Sequence, residues 1–258
     1  MKYFFYCKHY VSSLFFYIRM KLLQIILRHA FSKVEFAEAA RALSSQGFYI
    51  FKNYYSQKEC DALETLSDAV LDASAGLETN QINIERDPGE IKIKHLDEQE
   101  KGFKRFSSEF HLFIFSLFFC GRPTFPNVML NIVHDGNFNH PAIPGRCTQP
   151  HNSRPHIDSH YRILKGIVAL RNVDPENGPT AIVPHSSNLI EPMFRSYAKL
   201  DSDDPGMIDE ETFNKIRAKY GIGFLVMQRG DFALIDTRNV HYASNFSSGI
   251  RKLVWLYF

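Results

Sequence analysis

The sequence predicts an α+β domain, mainly β, with N-terminal helices packed around an antiparallel β core. Three observations lead there. Helix-start signals and apolar residues at helical spacing fall between residues 32 and 76. Apolar, β-branched runs bounded by turn residues fill most of the chain after residue 126. Phe (23) and Tyr (12) are abundant, which favours strands and an aromatic interior. Helices first and strands later is the arrangement in which helices gather on an antiparallel sheet. At 258 residues, 45% hydrophobic and 22% charged, the chain can bury a sizeable core without disulfide staples. No boundary is visible after residue 35, so 32–258 is read as one domain behind a separate segment, 1–31.

Each element has a local reason. Ser32-x-x-Glu35 is a capping box, with Phe31 and Phe36 placed as a hydrophobic staple, and it opens a helix that Gly47 stops. GFYIFKN (47–53) reads as a strand. Ser56-x-x-Glu59 is a second capping box, opening a helix to about Gly76. The stretch 77–104 is polar and poorly periodic, which predicts loop with short turns. A helix is expected near 105–119. It holds the apolar run FHLFIFSLFFC (110–120), whose 11 residues reach only ~16 Å as a helix and so read as core, not as a membrane span. PNVMLNIVH (126–134) and LKGIVALRNV (164–173) are strands. Asn177-Gly178 makes a hairpin-type turn into a further strand, TAIVP (180–184). Residues 191–211 look like a long insertion over the barrel mouth, and long loops often serve as lids. Asp209-Glu210-Glu211 then starts a short helix that Arg217, Lys219 and Gly221 close. FALID (232–236) and the run from Arg251 are the last long strands.

Composition excludes some functions. A formal charge of +2 is too small to imply a nucleic-acid partner. Cys7, Cys60, Cys120 and Cys147 are scattered with no C-x-x-C pair, the pattern of a reduced, cytoplasmic protein. The first 33 residues carry six Lys or Arg and no acid. Arg19 and Lys21 break their apolar stretch and no small-residue cleavage site follows, so they make a poor signal peptide, and Met20 is a second candidate start. Leu22, Leu23, Ile26, Leu27 and Ala30 form a stripe opposite Lys21, Gln24 and Arg28. Packing on the domain is the favoured reading of this helix; peripheral contact with a membrane surface is the other.

The chemistry centres on RPHIDSHYR (154–162). His156-Ile157-Asp158 is an H-x-D triplet, and on a strand its first and third side chains share a face. With 11 His in the chain, chance alone supplies roughly 0.6 such triplets. A second one exists, His95-Leu96-Asp97. It sits in KIKHLDEQEKG, a charged stretch with no strand pattern beside it, and reads as solvated surface. His156 and Asp158 instead stand at the entrance to a core strand. Two His and one carboxylate fill one face of an octahedron and leave three positions open. The third ligand must come from a distant strand. His241 follows the apolar strand FALID, and Arg251 opens the last strand, where a guanidinium can grip a carboxylate by a bidentate pair.

These stretches resemble the phytanoyl-CoA dioxygenase-like family of Fe(II)/2-oxoglutarate oxygenases. The likeness begins at SSQGFYIFKNYYSQKECDAL (44–63) and runs through RPHIDSHYR and NVDPENGPTAIVPHSSN (172–188). It ends with GDFALIDTRNVHYASN and IRKLVWLYF, with weak agreement between 77 and 125. His185 stands where the family commonly has Gly. The resemblance implies a double-stranded β-helix (a jelly-roll, cupin-like barrel) with His156, Asp158 and His241 as Fe(II) ligands. Arg251 would bind the distal carboxylate of 2-oxoglutarate, and O2 would convert that co-substrate to succinate and CO2. A small-molecule substrate would be hydroxylated at an unactivated C–H. Related halogenases lack the carboxylate ligand; this chain keeps Asp158, which favours hydroxylation. Desaturation and cyclisation use the same ligands.

Other residues are weaker candidates. Asn131 on PNVMLNIVH either hydrogen-bonds the co-substrate or serves the sheet's own polar needs. His160 shares parity with the triplet. His134, His140 and His151 read as solvated, Arg238 as a partner of Asp236, and Trp255 as core. Lys252, on the opposite strand face, is the next anchor candidate after Arg251. Two rival functions remain: a metal-bound jelly roll that isomerises or merely binds a ligand, and a membrane-surface protein with the barrel as scaffold. Oligomeric state and substrate identity are not written in the sequence.

Overall fold

The computed structural model describes residues 18, 22, 34–74, 84–87, 90–99, 101–106, 109, 112–113, 116–117, 124–134, 154–158, 164–188, 207–244 and 246–258. Helix α1 (Val34–Ser45) buries Ala39, Ala40 and Leu43, spaced to share one helix face. It ends at Gly47, whose φ of 85° suits glycine, with the Gly47 N–H donating to Ala42 O at 3.1 Å. Strand β1 (Phe48–Phe51) follows. The second capping box forms as the sequence predicts. The Ser56 N–H donates to Glu59 Oε2 at 2.8 Å and the Glu59 N–H to Ser56 Oγ at 3.3 Å, opening α2 (Gln57–Ser74). Cys60, Leu63 and Ser67 line its buried face.

Residues 84–99 differ from the expected loop. They form a hairpin of β2 (Ile84–Asp87) and β3 (Glu90–Ile93), then a one-turn helix α3 (Leu96–Gln99). Ile84 and Ile93 pair across the hairpin and are buried, while Glu85, Glu90 and Lys92 face the other way. That second face lines a cavity, so its charges hid an alternation of period two. The His95-Leu96-Asp97 triplet is only partly solvated: Leu96 is fully buried and Asp97 Oδ1 accepts from the Val128 N–H at 3.2 Å. The expected helix near 105–119 lies largely outside the described residues, as do the expected lid over 191–206 and His140, His151 and His160.

Strands β4 (Asn127–His134), β5 (Leu164–Ala169), β8 (Phe232–Asp236) and β10 (Ile250–Tyr257) complete a seven-stranded antiparallel sheet in the order β1-β8-β5-β10-β4-β3-β2. A smaller sheet has the order β7-β6-β9, from Gly223–Phe224, Thr180–Ile182 and His241–Ala243. Gly178, at φ 67°, turns the chain into β6. The turn does not close a hairpin, because β5 and β6 lie in different sheets. Helix α4 (Glu210–Tyr220) starts at the predicted cap, Asp209, whose side chain accepts from the Thr212 N–H, and it ends at Gly221.

Four layers result. Helices α1 and α2 cover the outer face of the large sheet through Leu130, Val168, Leu234 and Val254. Helix α4 covers the outer face of the small sheet through Phe213 and Ile216. Between the sheets, Ile167, Ile182, Ala233 and Leu253 form a second core at one end. The other end is a cavity of about 240 Å³. Two facing antiparallel sheets with a cavity between them are a jelly roll.

Candidate metal centre

His156 extends the small sheet beyond β9. Its backbone exchanges both hydrogen bonds with His241, His156 N to His241 O at 3.0 Å and the reverse at 2.9 Å. Residues paired in this way project side chains to the same face. The two imidazoles are 4.4 Å apart between ring centroids and both look into the cavity. Asp158, two residues on, points the same way and is fixed through its backbone N–H to Thr237 O at 3.2 Å. Ile157, between them, is buried on the α4 side. The triplet therefore works as the sequence anticipates, one side to the core and one to the cavity.

The hydrogen bonds of the two imidazoles set their chemistry. His156 Nδ1 lies 2.7 Å from Arg154 O and His241 Nδ1 2.9 Å from Asn239 O. A carbonyl can only accept, so each Nδ1 carries the proton and each Nε2 keeps a lone pair. Both Nε2 atoms face the carboxylate, His156 at 3.6 Å from Oδ1 and His241 at 3.6 Å from Oδ2. That is too long for a hydrogen bond. All three ligand atoms lie within 4.8 Å of one another. An ion held at about 2.1 Å puts neighbouring donors about 3 Å apart, so the three groups would close in by about 0.5–2 Å, within reach of side-chain rotation, to complete a site. Three lone pairs converging with no proton between them suit a divalent cation.

Electrostatics agree. Burial, and next the neighbouring His156, push the His241 imidazole below its ordinary range, towards the neutral ligand form. Burial alone would raise Asp158, but the imidazoles, whenever they carry a proton on Nε2, and Lys165 more than offset it, so the carboxyl is held far below the usual carboxylate range and is ionised.

The loop before His241 is built to place it, which the sequence reading missed apart from one ion pair. Arg238 grips Asp236 with two bonds, Nη2 to Oδ2 at 2.8 Å and Nε to Oδ1 at 3.1 Å. Asn239 Oδ1 accepts from the Ser187 N–H at 3.0 Å, and Ser186 Oγ accepts from the Val240 N–H at 2.7 Å. His185, where the family commonly has Gly, takes φ 60° and keeps the turn. The S-S-N and T-R-N-V-H segments held this signal, but only their meeting in space reveals it.

Arg251 and Asn131 stand on the same wall. Arg251 is 6% exposed; its Nη1 donates to Gly178 O and its Nη2 lies 3.5 Å from Asn131 Oδ1. Asn131 Nδ2 donates to Glu90 Oε1 at 2.6 Å. Lys252 is removed as an anchor: it faces α2, with Nζ 2.6 Å from Asp68 Oδ1. Trp255 is not simply core, since it lines the cavity with Tyr257, Thr180 and Lys165. Burial keeps the Tyr257 phenol protonated well beyond its ordinary range.

A jelly roll carrying two histidines and a carboxylate that can hold iron on its inner face defines a class, the mononuclear non-haem metalloenzymes. The comparisons name the family. The phytanoyl-CoA dioxygenase (PhyH) family model matches residues 43–253, and the chain belongs to that family and so to the Fe(II)/2-oxoglutarate oxygenase superfamily. Among solved structures, EctD from S. alaskensis with bound Fe is 20% identical, covering 86% of this chain and 75% of its own, with a TM-score of 0.61. The epimerase SnoN, in complex with Fe3+, alpha ketoglutarate and nogalamycin RO, is 15% identical over 86% and 82% at 0.60. HygX from Streptomyces hygroscopicus, with nickel and 2-oxoglutarate bound, is 15% identical over 85% of each chain at 0.56. These likenesses show the fold. No match was found among curated proteins.

Proposed function

We propose that this protein is a non-haem Fe(II)/2-oxoglutarate-dependent dioxygenase that hydroxylates an unactivated C–H of a small-molecule substrate. The observation that carries the reading is the convergence of two Nε2 lone pairs and one carboxylate with both Nδ1 protons committed elsewhere. His156, Asp158 and His241 hold the metal. The bound iron and 2-oxoglutarate supply oxidising power, with O2 converting the co-substrate to succinate and CO2. Arg251 receives the distal carboxylate of the co-substrate, and Asn131 aligns the guanidinium between itself and Gly178 O.

A second outcome has a specific motive. One structure of this fold is an epimerase, and another was solved with 2-oxoglutarate and 5-hydroxyectoine. The fold thus occurs both in an epimerase and in a protein that holds 2-oxoglutarate together with a hydroxylated compound. Retention of Asp158, which leaves no ligand position for a halide, favours hydroxylation over halogenation.

Anaerobic addition of Fe(II) and 2-oxoglutarate should give a visible metal-to-ligand charge-transfer band. His241→Ala should lose it and His95→Ala should keep it. A band at full strength in His241→Ala removes the third ligand from this assignment. Mass analysis of the product then separates an added oxygen from an inverted centre.

A further inference from the structure

The cavity wall carries a cation for which the proposed reaction has no assigned use. Lys165, the second residue of β5, shares the inner face with Ile167 and Ala169. Its Nζ lies 2.7 Å from Asp158 Oδ2, and its side chain is only 14% exposed. The ammonium also stands 4.9 Å from the Tyr257 ring centroid and 5.8 Å from that of Trp255. Those rings flank the cation without offering it a strong acceptor, so its direction is set by the carboxylate. A cation placed against a metal-binding carboxylate opposes the metal, and burying it is costly unless it is paired. Its position calls for a reason.

We propose that Lys165 is a positioning residue of the metal centre, holding Asp158 to one-oxygen ligation and making retention of the metal depend on the dianionic co-substrate. The inference rests on the metal reading above. A carboxylate can chelate with both oxygens, which would take one of the three positions that co-substrate and O2 require. Each oxygen faces one imidazole, Oδ1 that of His156 and Oδ2 that of His241, both at 3.6 Å, but only Oδ2 is also held by the ammonium, which weakens it as a donor and leaves Oδ1 the stronger one. Charge supplies the second half of the argument. Neutral imidazoles add no charge, so one carboxylate leaves a divalent ion with a net positive charge, and Lys165 adds another beside it. Glu85, Glu90, Lys92, Lys94 and Arg251 also line the cavity, but Lys165 is the cation against the metal-binding carboxylate itself, and a dianion bound to the metal relieves the excess positive charge there. Metal and co-substrate must raise each other's affinity by the same factor. Lys165 enlarges that factor.

The test is anaerobic equilibrium dialysis of Fe(II) against the full chain, with and without 2-oxoglutarate, for wild type, Lys165→Met, Lys165→Gln and Lys165→Arg. Wild type should bind Fe(II) about ten-fold or more tightly with 2-oxoglutarate present, within the range of coupling between linked sites. Both neutral variants should bind Fe(II) alone at least as tightly as wild type, lose most of that enhancement, and show a shifted charge-transfer band. Lys165→Arg should restore the enhancement. Two neutral variants guard against one that fails to fold, and a merely structural role would weaken Fe(II) in both conditions. Wild-type enhancement in the neutral variants, or weaker binding of Fe(II) alone, overturns the proposal. Absence of Fe(II) binding by wild type instead overturns the metal reading beneath it.

Discussion

At the scale of single residues, the site depends on which atoms of each side chain are already occupied. The two histidines differ in burial, with side chains 15% and 7% exposed, yet make the same Nδ1 contact to a carbonyl two residues earlier. Spacing within the backbone thus sets the tautomer, and the tautomer sets the ligand atom. Arg251 is the other decisive residue. Truncating one partner of a desolvated carboxylate pair costs about 2–5 kcal/mol. Arg251→Ala should therefore raise the 2-oxoglutarate concentration needed for succinate formation by roughly 30-fold or more. An unchanged requirement would remove Arg251 as the anchor. Lys252 cannot take the role, because α2 holds it on the far side of the sheet.

At the scale of elements, local chemistry explains starts and stops better than it explains faces. Ser56, Asp209, Gly47 and Gly221 act where a sequence reader expects them, since caps and left-handed residues work within one turn of the chain. The hairpin of β2 and β3 looks like loop in the sequence because its cavity face is charged. A strand pattern is normally recognised by a polar side towards water, and here that side looks inward. The segment before His241 shows how elements lean on one another. Ser186, fully buried, supplies the acceptor for the Val240 N–H, which is also buried. Ser186→Ala should leave that group without its acceptor and cost about 1–3 kcal/mol. Thermal unfolding gives the stability loss, and Fe(II) dialysis should show weakened binding because His241 is the next residue. Equal stability of variant and wild type would mean the hydroxyl is not holding the loop.

At the scale of the whole molecule, the metal should tie together stretches far apart in the chain. His156 and Asp158 lie ahead of β5, and His156 joins His241 of the small sheet through one antiparallel bridge. A ligand present at 100 times its Kd adds about 2.7 kcal/mol to stability. For a chain this size, stripping the metal with a chelator should lower the melting temperature by roughly 5–10 °C. Scanning calorimetry of metal-loaded and stripped protein checks this, and identical melting curves would count against metal binding. Residues 1–31 are a separate question. None of the described helices is long and apolar enough to cross a membrane. Packing on the domain remains the favoured proposal, so removal through Ala30 should lower the melting temperature, and no form should pellet with anionic liposomes. Pelleting of the full chain that weakens on truncation to Met20 would establish membrane contact instead.

The sequence by itself determined the caps at Ser56 and Asp209, the stops at Gly47 and Gly221, most of the later strands, the family and a short list of candidate ligands. Each of these rests on residues close together in the chain or on a pattern carried by a few motifs. His156 and Asp158 could be paired on paper because a strand repeats every two residues. Only the tertiary structure decided the rest. It set His241 beside His156 through one antiparallel pair, turned Lys252 away from the cavity, and brought Lys165 to Asp158 across two sheets. Those facts depend on register and on which sheet face is covered by helices. Register is fixed by partners far away in sequence, and no local pattern records it.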